Sequence, residues 1–393
     1  MTSPKPELNV AMVGYGFMGA AHSQGWRSAP RFFDLPIQPR MKTIVGRDAA
    51  KVEAAREQFG WEESETDWTK LIERDDIHLI DVCTPGDTHA DIAIAALQAG
   101  KHVVCEKPLA NTVEEAERMA TAAEEAARNG VYAMVGFSYR RVPALIFARQ
   151  LIRDGRIGDV RQVRAAYLQD WLSDAEGPMT WRLDKSKAGS GSLGDIGAHA
   201  VDAIQFLTGQ TVDSVSGVLE TLVKERPLLG EQVGLGGTAS DERGQVTVDD
   251  VALFLGRLSG GALGTFEATR YALGRKNALK LEVNGSKGSL AFDLERMNEL
   301  EFYDGTDAAG EQGFRRILVT EPEHPFVAKW WPTGHGLGWE HSFTHQVVDF
   351  MNGVHSGEQP EPSFAEGAQV QRVLGAVEQS SEAGGTWIQT NER

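Results

Sequence analysis

The chain has 393 residues, 41% of them hydrophobic and 24% charged; this is the make-up of a globular protein, with length enough for two cores. A formal charge of −17 disfavours nucleic acid and anionic membrane surfaces as partners, and no run reaches the apolar length of a membrane span. The two cysteines, Cys83 and Cys105, each sit in an apolar run, so reduced, buried thiols are expected and a four-cysteine zinc site is excluded.

The N-terminal MTSPKPE lacks the apolar stretch of a signal peptide, which with the cysteine usage points to the cytoplasm. From Leu8 a short apolar strand runs to Gly14 and leads into a helix start carrying His22. The Pro- and aromatic-containing RSAPRFFDLPIQPR reads as a surface connection to a second strand at 41–45. Asp48 opens a helix in which Val52, Ala55 and Phe59 share a face and Gly60 is the stop. A short helical piece at 68–72, a strand at 78–83, a helix at 91–99 and a strand at 101–105 follow. Thr112 and Glu115 form a capping box for a helix through Arg128, and 131–137 is another strand. Strands that are apolar throughout, alternating with helices, specify a doubly wound parallel sheet covered on both faces, ending near residue 138.

Beyond that point the pattern changes. A helix at 144–153 precedes strand-like runs at 160–168, 211–223, 247–258, 261–268, 278–283 and 289–293. Residues 249–268 read as a hairpin around SGG, and the set suggests a large, mostly antiparallel open sheet in an α+β domain over 139–393. The Gly-rich, charged 224–245 is expected to be an irregular loop, and 303–340 another long excursion. Helices at 341–352 and 365–380 are candidates to pack back on the first domain.

The stretch Leu8–Gly19 organises the chain. Gly14, Gly16 and Gly19 form G-x-G-x-x-G between a strand and a helix, the arrangement that brings backbone and helix N–H groups to a pyrophosphate, with Phe17 and Met18 inside the loop. At the end of the second strand, Gly46, Arg47 and Asp48 stand where a carboxylate usually holds the adenosine ribose. A glycine followed by a guanidinium favours a 2′-phosphate and hence NADP, while Asp48 keeps NAD as the alternative. Thr84 and Pro85, after the third long strand, are candidates to line the nicotinamide side, or form an ordinary loop. His89 lies at the following helix start, where local structure is the commoner role. Glu106 and Lys107 follow the next strand; Lys107 is a candidate donor to a substrate oxygen, against the alternative of a helix start with Pro108 at its first position, a proline that is also a candidate for a cis bond.

The third cluster is Gly194–His199. On a continuous helix Asp195 and His199 share a face, the arrangement in which a carboxylate orients a proton-relaying imidazole, and Asp202 is either a solvent-facing residue or a second orienting carboxylate. No H-x-x-x-H or H-E-x-x-H spacing links these residues with His22 or His89, so no metal is expected.

With EKP at 106–108, YRR at 139–141, GRIG at 155–158 and GDIGAH at 194–199, the chain resembles the Gfo/Idh/MocA family of NAD(P)-dependent oxidoreductases over nearly its whole length. The resemblance implies a Rossmann domain, a second domain whose open sheet joins subunits into dimers or tetramers, and hydride transfer on sugars, inositols and related polyols. It maps Lys107, Asp195 and His199 onto the catalytic positions. YLQDW at 167–171 and PMTWR at 178–182 are similar to levoglucosan and sugar 3-dehydrogenases within the family. Tyr139, Arg141, Trp171, Trp181 and Arg182 are then candidates to stack on the sugar ring or bond its hydroxyls. The competing readings are a ketosugar reductase using the same residues and a dinucleotide-binding regulatory protein without turnover.

Overall fold

The computed structural model describes residues 5–233 and 236–390. The first four residues, part of the stretch expected not to be a leader, and residues 234–235 of the expected loop lie outside the described residues. The chain divides into two compact units, one running to Ser138 and taking in Trp339–Ala368, the other comprising Tyr139–Gly338 and the residues from Gln369 onward.

In the first unit the elements alternate: β1 (Glu7–Val13), α1 (Phe17–Phe32), β2 (Gln38–Val45), α2 (Ala49–Phe59), β3 (Glu63–Glu65), α3 (Thr69–Ile72), β4 (Leu79–Val82), α4 (His89–Gln98), β5 (His102–Cys105), α5 (Val113–Ala127) and β6 (Ala133–Val135). All strand pairs are parallel, in the order β3-β2-β1-β4-β5-β6. Val10, Ala11, Met12, Leu79, Ile80 and Val82 are fully buried, which is why these strands carry no polar face. Local signals place the helix ends. Asp48 caps α2 through the Ala50 and Lys51 amides, Gly60 ends it at φ 80°, and Thr112 and Glu115 form the expected capping box on α5. Two boundaries differ from expectation. The helix α1 continues through Pro30, which falls in its last turn, and β2 starts at Gln38 because Pro39, near the strand start, is tolerated there.

The second unit holds α6 (Pro143–Arg153), β7 (Val160–Leu168), α7 (Lys185–Ala188), α8 (Ala198–Thr208), β8 (Val212–Glu220), β9 (Glu225–Val233), β10 (Gly236–Gln245), β11 (Val251–Leu258), β12 (Leu263–Thr269), β13 (Ala278–Gly285), β14 (Gly288–Asp293), β15 (Glu299–Asp304) and β16 (Arg315–Leu318). The chain then returns to the first unit with α9 (His341–Ser356); the unit boundary falls inside α10 (Phe364–Glu382), and β17 (Ile388–Gln389) closes the described chain. Nine strands form one sheet in the order β16-β15-β14-β13-β7-β12-β11-β8-β17, antiparallel except for β7 beside β12. One face is covered by α6 and α8. On β11 the alternation is strict, with Ala252 and Phe254 buried and Leu253 and Leu255 exposed.

Two expectations are corrected here. Residues 224–245 are not an irregular loop: β9 and β10 pair as an antiparallel hairpin. The excursion after residue 303 includes β16, which with β15 extends the sheet. Cys83 and Cys105 are both free thiols. Among the described residues no helix is long and apolar enough to cross a membrane.

Candidate active site

Parallel strands deliver their carboxyl ends to one edge of a sheet, and between β1 and β4 the strand order reverses, the position at which such sheets bind ligands. The residues read as cofactor-binding come from that edge. Gly14 leaves β1 at φ 108°, and a Cβ there would lie 2.6 Å from the Cys83 carbonyl oxygen. A Cβ on Gly19 would overlap the Gly14 carbonyl oxygen, so only glycine lets α1 approach the strand this closely. Around Gly16 the space is open. It occupies the N-cap without a side-chain cap bond, and the first turn of α1 contains no acid. Uncapped N–H groups at a helix start beside an unfilled glycine make a cradle that fits a dinucleotide pyrophosphate. Phe17 is half exposed and stacks on Trp339, ring centroids 5.4 Å apart, while Met18 is half-buried beside it in sequence.

At the end of β2, the ring of Tyr15 lies over Gly46, and a Cβ at residue 46 would overlap it. Arg47 is exposed. Asp48 is exposed and caps α2, its Oδ1 accepting the Ala50 and Lys51 amides, both at 3.1 Å. After β4, the Thr88 hydroxyl lies 2.6 Å from that of Thr84 and 2.8 Å from the Pro85 carbonyl oxygen. His89 has the local structural role that is the commoner one at a helix start. It is buried, with Nε2 2.8 Å from the Thr84 carbonyl and Nδ1 3.1 and 3.2 Å from the carbonyls of Pro108 and Leu109.

Glu106, a cofactor-binding candidate from the sequence, is buried. Its Oε1 lies 2.8 Å from His22 Nε2, and its Oε2 accepts the Lys107 N–H at 3.2 Å. The Lys107–Pro108 peptide is cis. Lys107 therefore sits between two restraints, Glu106 on its own amide and His89 on the carbonyls that follow. Behind Glu106, His22 Nδ1 meets both Asp81 oxygens at 2.9 and 3.0 Å, and Trp26 Nε1 donates to Asp81 at 2.7 Å.

In the second unit, the segment around Asp195 is not a continuous α-helix. Leu193–Gly197 is a π turn, closed by the Ala198 amide on the Leu193 carbonyl, before α8 begins. Asp195 lies within the π turn and His199 in the first turn of α8. Asp195 Oδ2 accepts from Arg270 Nη1 at 3.2 Å; that guanidinium is buried and lies 5.5 Å from the Trp171 ring centroid. The His199 ring is 4.5 Å from the Tyr139 ring and 5.9 Å from the Tyr167 ring. A polar chain joins these aromatics. The Tyr139 and Tyr167 hydroxyls are 2.8 Å apart, Tyr167 and Gln169 both donate to Asn277 Oδ1, and Trp171 Nε1 donates to Gln169. Arg182 lies 4.4 Å over Trp181; burial pulls its pKa down, and Asp195 opposes the shift.

Asp202 is not solvent-facing. It is buried and paired with Arg140, with Nε 3.0 Å from both oxygens and Nη2 2.6 Å from Oδ1. Arg141 is buried next to it in sequence. No role is assigned from the sequence to Tyr15, Tyr167, Arg270 or Asp81, although Tyr15 stands inside the glycine loop and Tyr167 opens YLQDW; the pairing of His22 with Asp81 and Glu106 has no signal in spacing.

Residues 8–137 match the model described as an oxidoreductase family with an NAD-binding Rossmann fold, and residues 146–291 match the GFO/IDH/MocA C-terminal domain. A levoglucosan dehydrogenase from Pseudarthrobacter phenanthrenivorans is 41% identical over 386 residues, 97% of each chain. The crystal structure of an oxidoreductase domain protein from Kribbella flavida superposes with a TM-score of 0.94 at 62% identity, covering 98% of this chain and 100% of that one. A levoglucosan dehydrogenase solved with NADH and levoglucosan gives a TM-score of 0.92 at 39% identity, covering 98% of this chain and 100% of that one. The chain belongs to the Gfo/Idh/MocA family of oxidoreductases.

Proposed function

We propose that this protein oxidises a secondary hydroxyl of a sugar, glycoside or inositol-like cyclic polyol, with NADP as the hydride acceptor and NAD as the alternative. The observation that carries the reading is the double restraint on Lys107, which fixes a lysine at the edge of the parallel sheet where the glycine loop also ends. The levoglucosan dehydrogenase relative supports the substrate class.

When bound, the dinucleotide supplies the nicotinamide that accepts hydride. Gly14, Gly16, Phe17, Met18 and Gly19 would hold its pyrophosphate end, and Thr84 and Pro85 would line the nicotinamide side. Lys107 donates a hydrogen bond to the reacting oxygen and stabilises the charge that develops there. His199 takes the hydroxyl proton, its ring held against Tyr139 and Tyr167, and Asp195, tied to Arg270, favours the resulting imidazolium. Tyr139, Arg141, Trp171, Trp181 and Arg182 contact the sugar's apolar face and hydroxyls.

The preference for NADP rests on what surrounds Gly46. No carboxylate is available at that residue, Asp48 is engaged in capping α2, and Arg47 suits a 2′-phosphate. The proposal extends to a cytoplasmic homodimer or homotetramer joined through the nine-stranded sheet. In its support, Val218 is 59% exposed, Leu253 46%, Leu255 48% and Leu263 48%, and the strand register sets them in adjacent rows of one face. A monomer in light scattering at micromolar concentration would remove that extension.

The test is reduced-cofactor absorbance with NAD and NADP in parallel against levoglucosan, glucose, simple glucosides, myo-inositol and scyllo-inositol, with rates in both directions for any substrate found. Lys107→Ala should lower kcat by about 10²–10⁴ and leave cofactor affinity within about twofold. Cofactor binding without turnover across the panel would refute the assignment.

A further inference from the structure

The chain Asp81–His22–Glu106 is more than core packing. Three elements contribute to it: α1 carries His22, β4 carries Asp81, and Glu106 follows β5. The side chains of His22, Asp81 and Glu106 are 2%, 0% and 5% exposed, so water does not compete for their bonds. Both imidazole nitrogens face carboxylate oxygens, and ionised carboxylates only accept hydrogen bonds; both nitrogens must therefore donate, which makes the ring an imidazolium. Its titratable neighbours are Asp81, Cys83, Cys105 and Glu106; from α9, Phe343 packs on it as an uncharged face. Burial alone would lower the His22 pKa, but the Asp81 charge beside it prevails and holds it well above the ordinary histidine value.

A metal is the rival use of such a cluster, since His22, Asp81 and Cys83 bring ligand-type atoms within 4.8 Å of one another. Their atoms are already committed to one another and to Trp26, and burial pushes the Cys83 thiol up, away from the thiolate a metal needs.

What the chain reaches is the Lys107 amide. Glu106 has one oxygen on His22 and the other on that N–H, so the imidazolium decides where the second oxygen lies. Gly136 leaves the space Glu106 occupies: a Cβ there would lie 2.7 Å from Oε1. We propose that His22 is a positioning residue for Lys107, holding the Glu106 carboxylate against the lysine's backbone so that the side chain is presented from a fixed point. The proposal rests on the reading of Lys107 as a reacting group.

The test uses the full-length protein and three variants, His22→Gln, His22→Gln/Glu106→Gln and Lys107→Ala. In His22→Gln, one amide nitrogen replaces two ring donors; with that nitrogen on Asp81, the amide oxygen faces Glu106 and repels it. In the double variant, the amide nitrogen introduced at position 106 can donate to the amide oxygen at position 22, while the remaining oxygen at 106 still accepts the Lys107 N–H. That restores the geometry without the charges. Deuterium uptake at the Lys107 amide, followed by mass spectrometry without cofactor or substrate, should quicken at least about tenfold in His22→Gln and return to within about threefold of wild type in the double variant. On the best substrate of the panel, kcat should fall by more than about tenfold in His22→Gln and recover in the double variant, with Kd for NADH and NADPH held within about threefold by fluorescence. Unchanged exchange at Lys107, or a double variant no better than His22→Gln, overturns the inference. If His22→Gln does not fold, Glu106→Ala removes the same acceptor and must show the same faster exchange, or the inference fails. Full turnover in Lys107→Ala would sink the functional reading instead, and the exchange result separates the two.

Discussion

Asp202→Asn is the substitution whose cost can be worked most directly. Asp202 and Arg140 are each 4% exposed at the side chain, so neither charge can turn to water when its partner is lost. Removing one member of such a pair costs about 3–5 kcal/mol, and because asparagine keeps one carbonyl oxygen for the guanidinium, the lower end applies, about 3 kcal/mol. For a unit of this size that is a fall in Tm of about 6–12 °C, measurable by calorimetry and urea titration. The damage should also reach the site, since Asp202 is three residues past His199 on α8 and Arg140 adjoins Tyr139, the ring against His199. Replacing both partners, Arg140→Met with Asp202→Leu, should recover most of the stability but not the activity, because an apolar pair fills the volume without aligning Tyr139. A loss below about 1 kcal/mol in Asp202→Asn, or a double variant no more stable than the single one, would refute the argument that uncompensated charge sets the cost.

Arg270→Met leaves the Asp195 carboxylate without the guanidinium at 3.2 Å; a hydrogen bond to a charged group is worth about 1.5–3 kcal/mol, so kcat should fall about 10- to 100-fold and recover partly in Arg270→Lys. A kcat within about twofold of wild type would show that the pair serves the fold and not the reaction. The pH dependence of stability should carry the mark of His102. Burial first, then the charge of His78, lowers its pKa to about 4, and its Nδ1 accepts the Tyr132 amide, a bond that protonation breaks. The unfolded chain binds this proton near pH 6.5 and the folded one only near pH 4, so the contribution, up to about 3 kcal/mol, is lost as pH falls through that window. Calorimetry of His102→Gln across the same range should show a flatter curve; an unchanged slope would assign the acid sensitivity elsewhere.

Much of the first unit was legible because its instructions are local. Asp48 and Gly60 mark the ends of α2, Thr112 and Glu115 the start of α5, and Gly14 and Gly19 are required by contacts within a few residues or with the next strand. The β9–β10 hairpin was hidden because its two strands form a sheet of their own, separate from the nine-stranded one, so a Gly-rich, charged composition was not selected against. In β15 the alternation of Leu300 and Phe302 was there to be read, but the stretch was too short to outweigh the polar residues after it. The site follows the same division. Lys107 and the glycine loop stand in contiguous motifs, whereas His22 finds Asp81 59 residues away and Glu106 84 residues away, and Arg270 finds Asp195 at a separation of 75. Spacing cannot announce such partners; only the folded sheet brings them together. The π turn was invisible for another reason, since GDIGAH suits a regular helix equally well.

If residue 46 meets the adenosine ribose as proposed, the Tyr15 ring over it makes nucleotide choice a question about two positions. An aspartate introduced at 46, the obvious route toward an unphosphorylated ribose, would enter volume the phenol already fills. The ring must swing away or be shortened before the new acid can be accommodated, so on that reading a change of coenzyme passes through Tyr15 first. Homologues that carry an acid there should be recognisable by a smaller neighbour inside the glycine loop, a pairing that can be read from sequence alone.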